Sequence, residues 1–134
     1  GLISAHLLSV PGASAYYIGG AVVYTRSAQK GFLGVSDEEM EGLRSSTESY
    51  CLLNARKVKD VLRTTWGIAE TGAAGPTGNR YGDSAGHSCV GASGPKEKVI
   101  TLETGESNRS ENMEAFTEAS MKLLIDCIEL SRVP

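Results

Sequence analysis

No apolar run in this sequence approaches the roughly 20 residues needed to cross a bilayer, so no transmembrane helix is expected. Charge of neither sign dominates: 13 Lys and Arg stand against 16 Asp and Glu, a formal net charge of -3. Such a surface has no field to draw in a phosphate backbone, and no stretch interleaves basic with aromatic residues, which argues against a nucleic-acid partner. Cysteine is scarce and odd in number. Cys51, Cys89 and Cys127 lie far apart and lack metal-ligand spacing, so neither a metal site nor a full disulfide set is expected. Buried, reduced thiols in a soluble protein of a reducing intracellular or organellar compartment are the expectation. No targeting segment is visible, so the compartment itself stays open.

What is there is one domain. With 134 residues, 40% of them hydrophobic, the chain can build one core but not two, and residues 1–134 are read as a single unit. It opens Gly1-Leu2-Ile3 inside an apparent helix with no cap residue ahead, which predicts an N-terminally truncated domain. Leu2, Ile3, His6, Leu7 and Val10 place an apolar stripe on that helix, ended by Pro11-Gly12. Ile18 to Tyr24 has little polar alternation and predicts a buried strand, with Gly19 and Gly20 marking a close approach of backbone or ligand.

Ser36 and Glu39 form a capping box ahead of a short helix over 37–43, and Thr47 caps a longer one over 48–63. Trp66 to Ala69, Ala85 to Ala92 and Glu97 to Glu103 predict strands, the last two joined as a hairpin through Ser93-Gly94-Pro95. Asn108 and Glu111 cap the final helix, whose inner face carries Met113, Phe116, Ser120, Leu123, Leu124, Cys127 and Leu130. Helices alternating with short strands predict helices packed on a sheet, made mixed by the hairpin. Tyr24 and Thr71 are expected near the same edge of it.

The site argument rests on one loop and one strand end. Gly72, Gly75, Gly78 and Gly82 crowd the stretch after Thr71 and would let backbone N–H groups approach a phosphate or carboxylate, although an ordinary turn-rich surface loop fits them too. The phosphate-loop ending Gly-Lys-Ser/Thr is absent, as is the dinucleotide fingerprint, so no cofactor is expected. Thr71 follows directly on a strand, where open α/β sheets present side chains to ligands.

Taken in order, Leu7-Leu8-Ser9-Val10-Pro11-Gly12-Ala13-Ser14-Ala15-Tyr16-Tyr17-Ile18-Gly19-Gly20, Val23-Tyr24, Leu33-Gly34-Val35 and Thr71-Gly72-Ala73-Ala74-Gly75-Pro76 resemble the CinA C-terminal domain family over essentially the whole chain. The resemblance implies a three-layer α/β/α sandwich, often dimeric. In active members it implies a nicotinamide-nucleotide amidase that converts nicotinamide mononucleotide to nicotinate mononucleotide and ammonia. It assigns Thr71 to the active site, and Tyr24, Gly72, Gly75 and Arg109 to a pyridine-nucleotide ligand. The family's Glu-Ser-x-Thr-Gly-Gly motif supplies the serine nucleophile, and Gly1 matches its last glycine. A lysine usual five residues after the tyrosine is replaced by Gln29, with Lys30 one position on, and Met113 and His87 stand where the family has arginine and threonine.

These departures bear on chemistry. A serine attacking an amide needs a base and an oxyanion donor, and a lysine serves as base only with a depressed pKa. Gln29 cannot take the proton. Lys30 is the candidate replacement, although one residue turns a side chain by about 100° around a helix. His6 fits a core or interface histidine, and His87 either surface or site lining. The expectation is a catalytically silent CinA-like domain acting as a structural or interaction module, either a homodimer or a subunit of a larger assembly. The alternative is the nicotinamide-nucleotide amidohydrolase.

Overall fold

The computed structural model describes residues 1–134. Its elements run α1 (Leu2–Leu8), a 3-10 turn (Ala13–Ala15), α2 (Arg26–Leu33), α3 (Glu48–Leu62), β1 (Gly67–Ala73), β2 (His87–Ser93), β3 (Lys98–Glu103) and α4 (Arg109–Ser131). The strands form one sheet in the order β1-β2-β3. Pairing is antiparallel throughout rather than mixed, with Thr71 opposite Cys89 and Cys89 opposite Thr101. No helical crossover lies between consecutive strands: a loop over 74–86 returns β1 to β2, and a short turn over 94–97 joins β2 to β3, so each pair runs antiparallel.

The sandwich follows from the two-residue period of the central strand. All seven residues of β2 are buried, since helices cover both of its faces. Val90 and Ala92 face α4 and form a core with Leu123 and Cys127. Cys89 and Gly91 face α3 instead: Cys51 Sγ lies 3.5 Å from the Cys89 carbonyl oxygen, and a Cβ on Gly91 would stand 3.3 Å from that sulfur. The run His-Ser-Cys-Val-Gly-Ala-Ser is small on both faces, which lets two helices close on it. All three cysteines are buried and free, and burial pushes each thiol up, furthest for Cys51.

The caps form where the sequence places them. Thr47 accepts from Tyr50 N and Asn108 from Glu111 N, each side chain taking up an orphan amide of the first turn. On α4, Phe116, Ser120, Leu123 and Cys127 are buried, whereas Met113 and Leu130 at its two ends are exposed. The backbone at Arg63, which closes α3, sits at φ 54°, in the left-handed region that costs a side chain energy. Arg63→Gly is therefore expected to raise the unfolding free energy by about 0.5–1 kcal/mol in urea titrations.

Three expectations fail locally. Ile18 to Tyr24 is not a buried strand: it joins no ladder, and Ile18 and Val22 are 67% and 63% exposed. Extended chain becomes strand only when a neighbour takes its amides, and β1, the outer strand on that side, pairs with β2 alone. Residues 37–42 form turns instead of a helix, although the Ser36–Glu39 box closes, with Glu39 Oε1 accepting from Ser36 N at 3.1 Å and Ser36 Oγ from Glu39 N at 3.1 Å. A cap cannot sustain a helix with no length behind it. Helix α2 was absent from the sequence reading, despite a Thr25 cap and a left-handed Gly34 stop.

No helix is long and apolar enough to cross a membrane.

Candidate functional site

The site builds outward from the end of β1. Thr71 faces α3, and its Oγ1 accepts a hydrogen bond from Ser46 N at 3.0 Å. Ser46 is a buried non-glycine residue at φ 62°, held in place from both sides of its peptide. Glu70, one residue earlier, faces the other way, and its Oε1 accepts from Ser88 Oγ at 2.8 Å. Neighbouring protein raises the Glu70 carboxyl above its usual range, with the Ser88 hydroxyl working against that rise.

Beyond β1 the chain turns through Gly72 to Gly75, and these glycines serve packing. A Cβ on Gly72 would stand 2.8 Å from Ser88 Cα, and one on Gly75, at φ 105°, would stand 2.6 Å from the Ser107 carbonyl oxygen. At both positions the space a side chain would need is filled by the protein's own backbone. Arg109, the first residue of α4, reaches back over this turn: Nη1 donates to the Gly75 carbonyl oxygen and Nη2 to the Tyr24 hydroxyl at 3.4 Å. Tyr24 is 82% exposed. Tyr24, Gly75 and Arg109 thus converge at one open place, an exposed guanidinium beside a phenol, suited to an anion such as a phosphate.

Behind that place sits Asn112, buried at 1% exposure. Its Nδ2 donates to the carbonyl oxygens of Ala74 at 2.8 Å and Glu106 at 3.0 Å, and its Oδ1 accepts from Thr104 Oγ1 at 2.6 Å. It ties α4 to the β1 exit and to the β3 exit. The 79–83 segment is ordered separately, by Arg44 Nη1 donating to Asp83 at 2.9 Å and Asn79 Nδ2 donating to it at 2.8 Å. Those donors, Arg44 foremost, hold the Asp83 carboxyl below the usual range. Sequence reasoning missed both Asn112 and Ser46. The capping box at 108–111 signals the helix start but not which first-turn side chain turns inward, and nothing in the sequence marks a left-handed serine.

The remaining candidates lie elsewhere. Gln29 and Leu33, one turn apart on α2, are its buried residues. Gln29 Nε2 donates to Asn54 Oδ1 of α3 at 2.7 Å, and its Oε1 is buried with no partner. Lys30, one step around the helix, points to solvent: its Nζ sits 3.2 Å from Asp37 Oδ2 and makes no polar contact with Thr71. Lys30 and Arg26 hold the Asp37 carboxyl below its usual range. His6 pairs on the surface with Glu114 of α4 at 3.4 Å. His87 is buried, contacting Glu103 through Nδ1 and the Ser46 carbonyl oxygen through Nε2 at 2.8 Å.

A family model described as the CinA C-terminal domain matches residues 1–128. The chain belongs to this family. It is 36% identical over 102 residues to a CinA-like protein of Nostoc sp., covering 76% of this chain and 24% of that protein. A CinA-like protein of Salinibacter ruber is 34% identical over 122 residues, covering 91% and 30% respectively. The chain thus spans less than a third of the length of these curated relatives. Among solved structures, the competence-damaged protein (CinA) superfamily protein from Enterobacter cloacae superposes with a TM-score of 0.85 at 26% identity, covering 94% of this chain and 75% of that one. The competence/damage inducible protein CihA from Agrobacterium tumefaciens gives 0.83 at 26% identity, covering 95% and 78%. This CinA-like chain therefore shares both pattern and architecture with the family.

Proposed function

We propose that this CinA-like domain is catalytically silent and acts as an interaction module, paired with a second copy or seated in a larger protein assembly. The observation that carries the reading is the placement of α2. Gln29, at the position of the family lysine, is locked against Asn54, and Lys30 is turned out to Asp37. The Thr71 hydroxyl meanwhile accepts the Ser46 amide, and no side chain accepts a hydrogen bond from it. Leu8, Val10, Tyr16, Ile18, Val22 and Tyr24 are exposed large apolar or aromatic residues gathered in the first 24 positions, the kind of surface that proteins cover with a partner.

A second reading, the nicotinamide-nucleotide amidohydrolase, is favoured by a different observation: Tyr24, Gly75 and Arg109 still converge. In that reading Arg109 holds the substrate phosphate, and the β1 exit positions the carboxamide near Thr71. Ammonia release from nicotinamide mononucleotide separates the two. The 134-residue chain, any longer natural form of it, and an Arg109→Ala variant of each are the proteins to assay. The silent reading expects no turnover above the variant, together with light-scattering masses above the 14.1 kDa of one chain. Turnover that falls about tenfold or more with Arg109→Ala, as expected on losing an ion pair to phosphate, would establish the amidase instead.

A further inference from the structure

The Thr71 hydroxyl is set by a residue whose two flanking peptide groups are both held. Ser46 N donates forward to Thr71 Oγ1 at 3.0 Å, while the Ser46 carbonyl oxygen receives His87 Nε2 at 2.8 Å. The other ring nitrogen, Nδ1, meets the Glu103 carboxylate. A carbonyl oxygen can only accept, and so can an ionised carboxylate, so both contacts are hydrogen bonds only when both ring nitrogens carry a proton. We infer that His87 is a positioning residue that acts as an imidazolium: it fixes the carbonyl side of the left-handed Ser46 backbone and, through the Ser46 backbone angles, the amide that orients the Thr71 hydroxyl.

The surroundings of the ring favour that charge. Glu103 comes from β3, and Asp83 Oδ2 from the preceding loop stands 3.7 Å from Nε2. Arg44, in the turn before α3, neutralises Asp83 in part through contacts of 2.9 and 3.4 Å. From α3, Glu48 reaches Thr101 Oγ1 at 2.6 Å, one ladder step from the ring, and on β2 the protonated Cys89 thiol turns to the same Ser46 carbonyl at 3.7 Å. The carboxylates near the ring therefore outnumber the one guanidinium. Burial works against the imidazolium, but the Ser46 carbonyl and the Glu103 and Asp83 carboxylates outweigh it and raise the His87 pKa. The resulting stabilisation is in full force below the unfolded-state value near 6.5, and it is lost as pH rises through the raised folded-state value.

Ser46 at φ 62° gives the loss of one proton a structural consequence. A serine in the left-handed region returns toward ordinary backbone once its restraint weakens. Deprotonated His87 can keep only one of its two acceptors, so the Ser46 peptide is released or Glu103 is. The bond from the Ser46 amide to the Thr71 hydroxyl loosens in the first case.

The clamp concerns Thr71 as a placed hydroxyl and depends on no assigned reaction, so its failure and that of the proposed function are distinguishable. Nitrogen-15 NMR of the intact chain across pH 5 to 9 tests it. At the acid end both His87 ring nitrogens should give imidazolium shifts. The Ser46 amide and the Thr71 resonances should move with the His87 midpoint, and Ser46 amide protection, corrected for intrinsic exchange, should fall about tenfold or more across it. Glu103→Gln, at a half-exposed carboxylate, should lower that midpoint and carry the Ser46 and Thr71 transitions down with it. His87→Gln, which can still donate to Ser46, should abolish the pH dependence while keeping part of the protection. Ser46 and Thr71 signals that stay flat while His87 titrates would overturn the inference, as would a neutral-ring signature at pH 5.

Discussion

Replacing Asn112 with alanine is expected to lower the unfolding free energy by about 2–4 kcal/mol, and Asn112→Asp by at least as much. Both amide hydrogens and the amide oxygen are in use at 1% exposure, bonded to Ala74 O, Glu106 O and Thr104 Oγ1. Alanine leaves the half-buried Ala74 carbonyl, the Glu106 carbonyl and the Thr104 hydroxyl without this partner. Aspartate is worse in kind, because it sets a carboxylate against those carbonyls, and its relief requires protonation. Urea titrations give the size of the effect, and amide exchange gives its location. Loosening should concentrate at 74–76 and 104–107, the two chain exits that the side chain joins. A loss below about 1 kcal/mol, with exchange unchanged at those segments, would show that the contacts are replaceable by water. The Arg109 reach to Gly75 depends on the same tie, so Tyr24 and Arg109 should separate in the variant even where the sheet persists.

The elements that repeat a local period were legible in the sequence. Helices α3 and α4 carry apolar residues at three- and four-residue spacing behind a side-chain cap, and both begin where those caps stand. All three strands were readable as short runs bounded by turn residues, and the three buried thiols as members of apolar patterns. Strand β1, however, continues through Glu70, Thr71 and Gly72 to Ala73, so Thr71 lies inside the strand where the polar and glycine residues had suggested a loop. Ile18 to Tyr24 was misread because apolar composition reports what a segment tolerates, whereas strand formation depends on a pairing neighbour. The mixed sheet failed for a related reason, since pairing direction is decided by connections rather than by strand composition.

At the site the same division holds. The resemblance pointed to Tyr24, Gly75 and Arg109, which the fold brings into contact, and the one-residue offset of Lys30 from Gln29 already implied directions about 100° apart if that segment is helical. What stayed hidden were long-range partners: Asn112 with Ala74, Ser46 with Thr71, and His87 with Ser46. Each joins residues at least 25 positions apart through a single polar contact, which leaves no periodic trace.

Gln29→Lys should cost about 3–5 kcal/mol at neutral pH, and the loss should shrink as the solution is made alkaline. Gln29 has no exposed surface, and its surroundings provide the Asn54 amide oxygen and the Met40 sulfur but no carboxylate among its polar contacts. An ammonium placed there keeps one acceptor and loses its water. Its pKa should fall several units from the ordinary lysine value of about 10.4. The sign follows from proton counting: between the depressed folded-state value and about 10.4, the unfolded chain binds the extra proton, so stability rises with pH. Relative to the parent protein, the deficit is complete below the depressed value and disappears above the unfolded one. Gln29→Met, similar in length but uncharged, separates the loss of the Asn54 contact from the burial of charge and should show no such pH dependence. A Gln29→Lys variant as stable as the parent at pH 7 would mean that the ammonium has found water or a carboxylate, and that α2 packs differently from the arrangement described. The experiment also bears on catalysis, since a buried lysine titrating near neutrality is the base that the amidase reading requires at this position. If the variant folds, titrates low and still releases no ammonia from nicotinamide mononucleotide, a lysine at this position is not sufficient for the amidase reading.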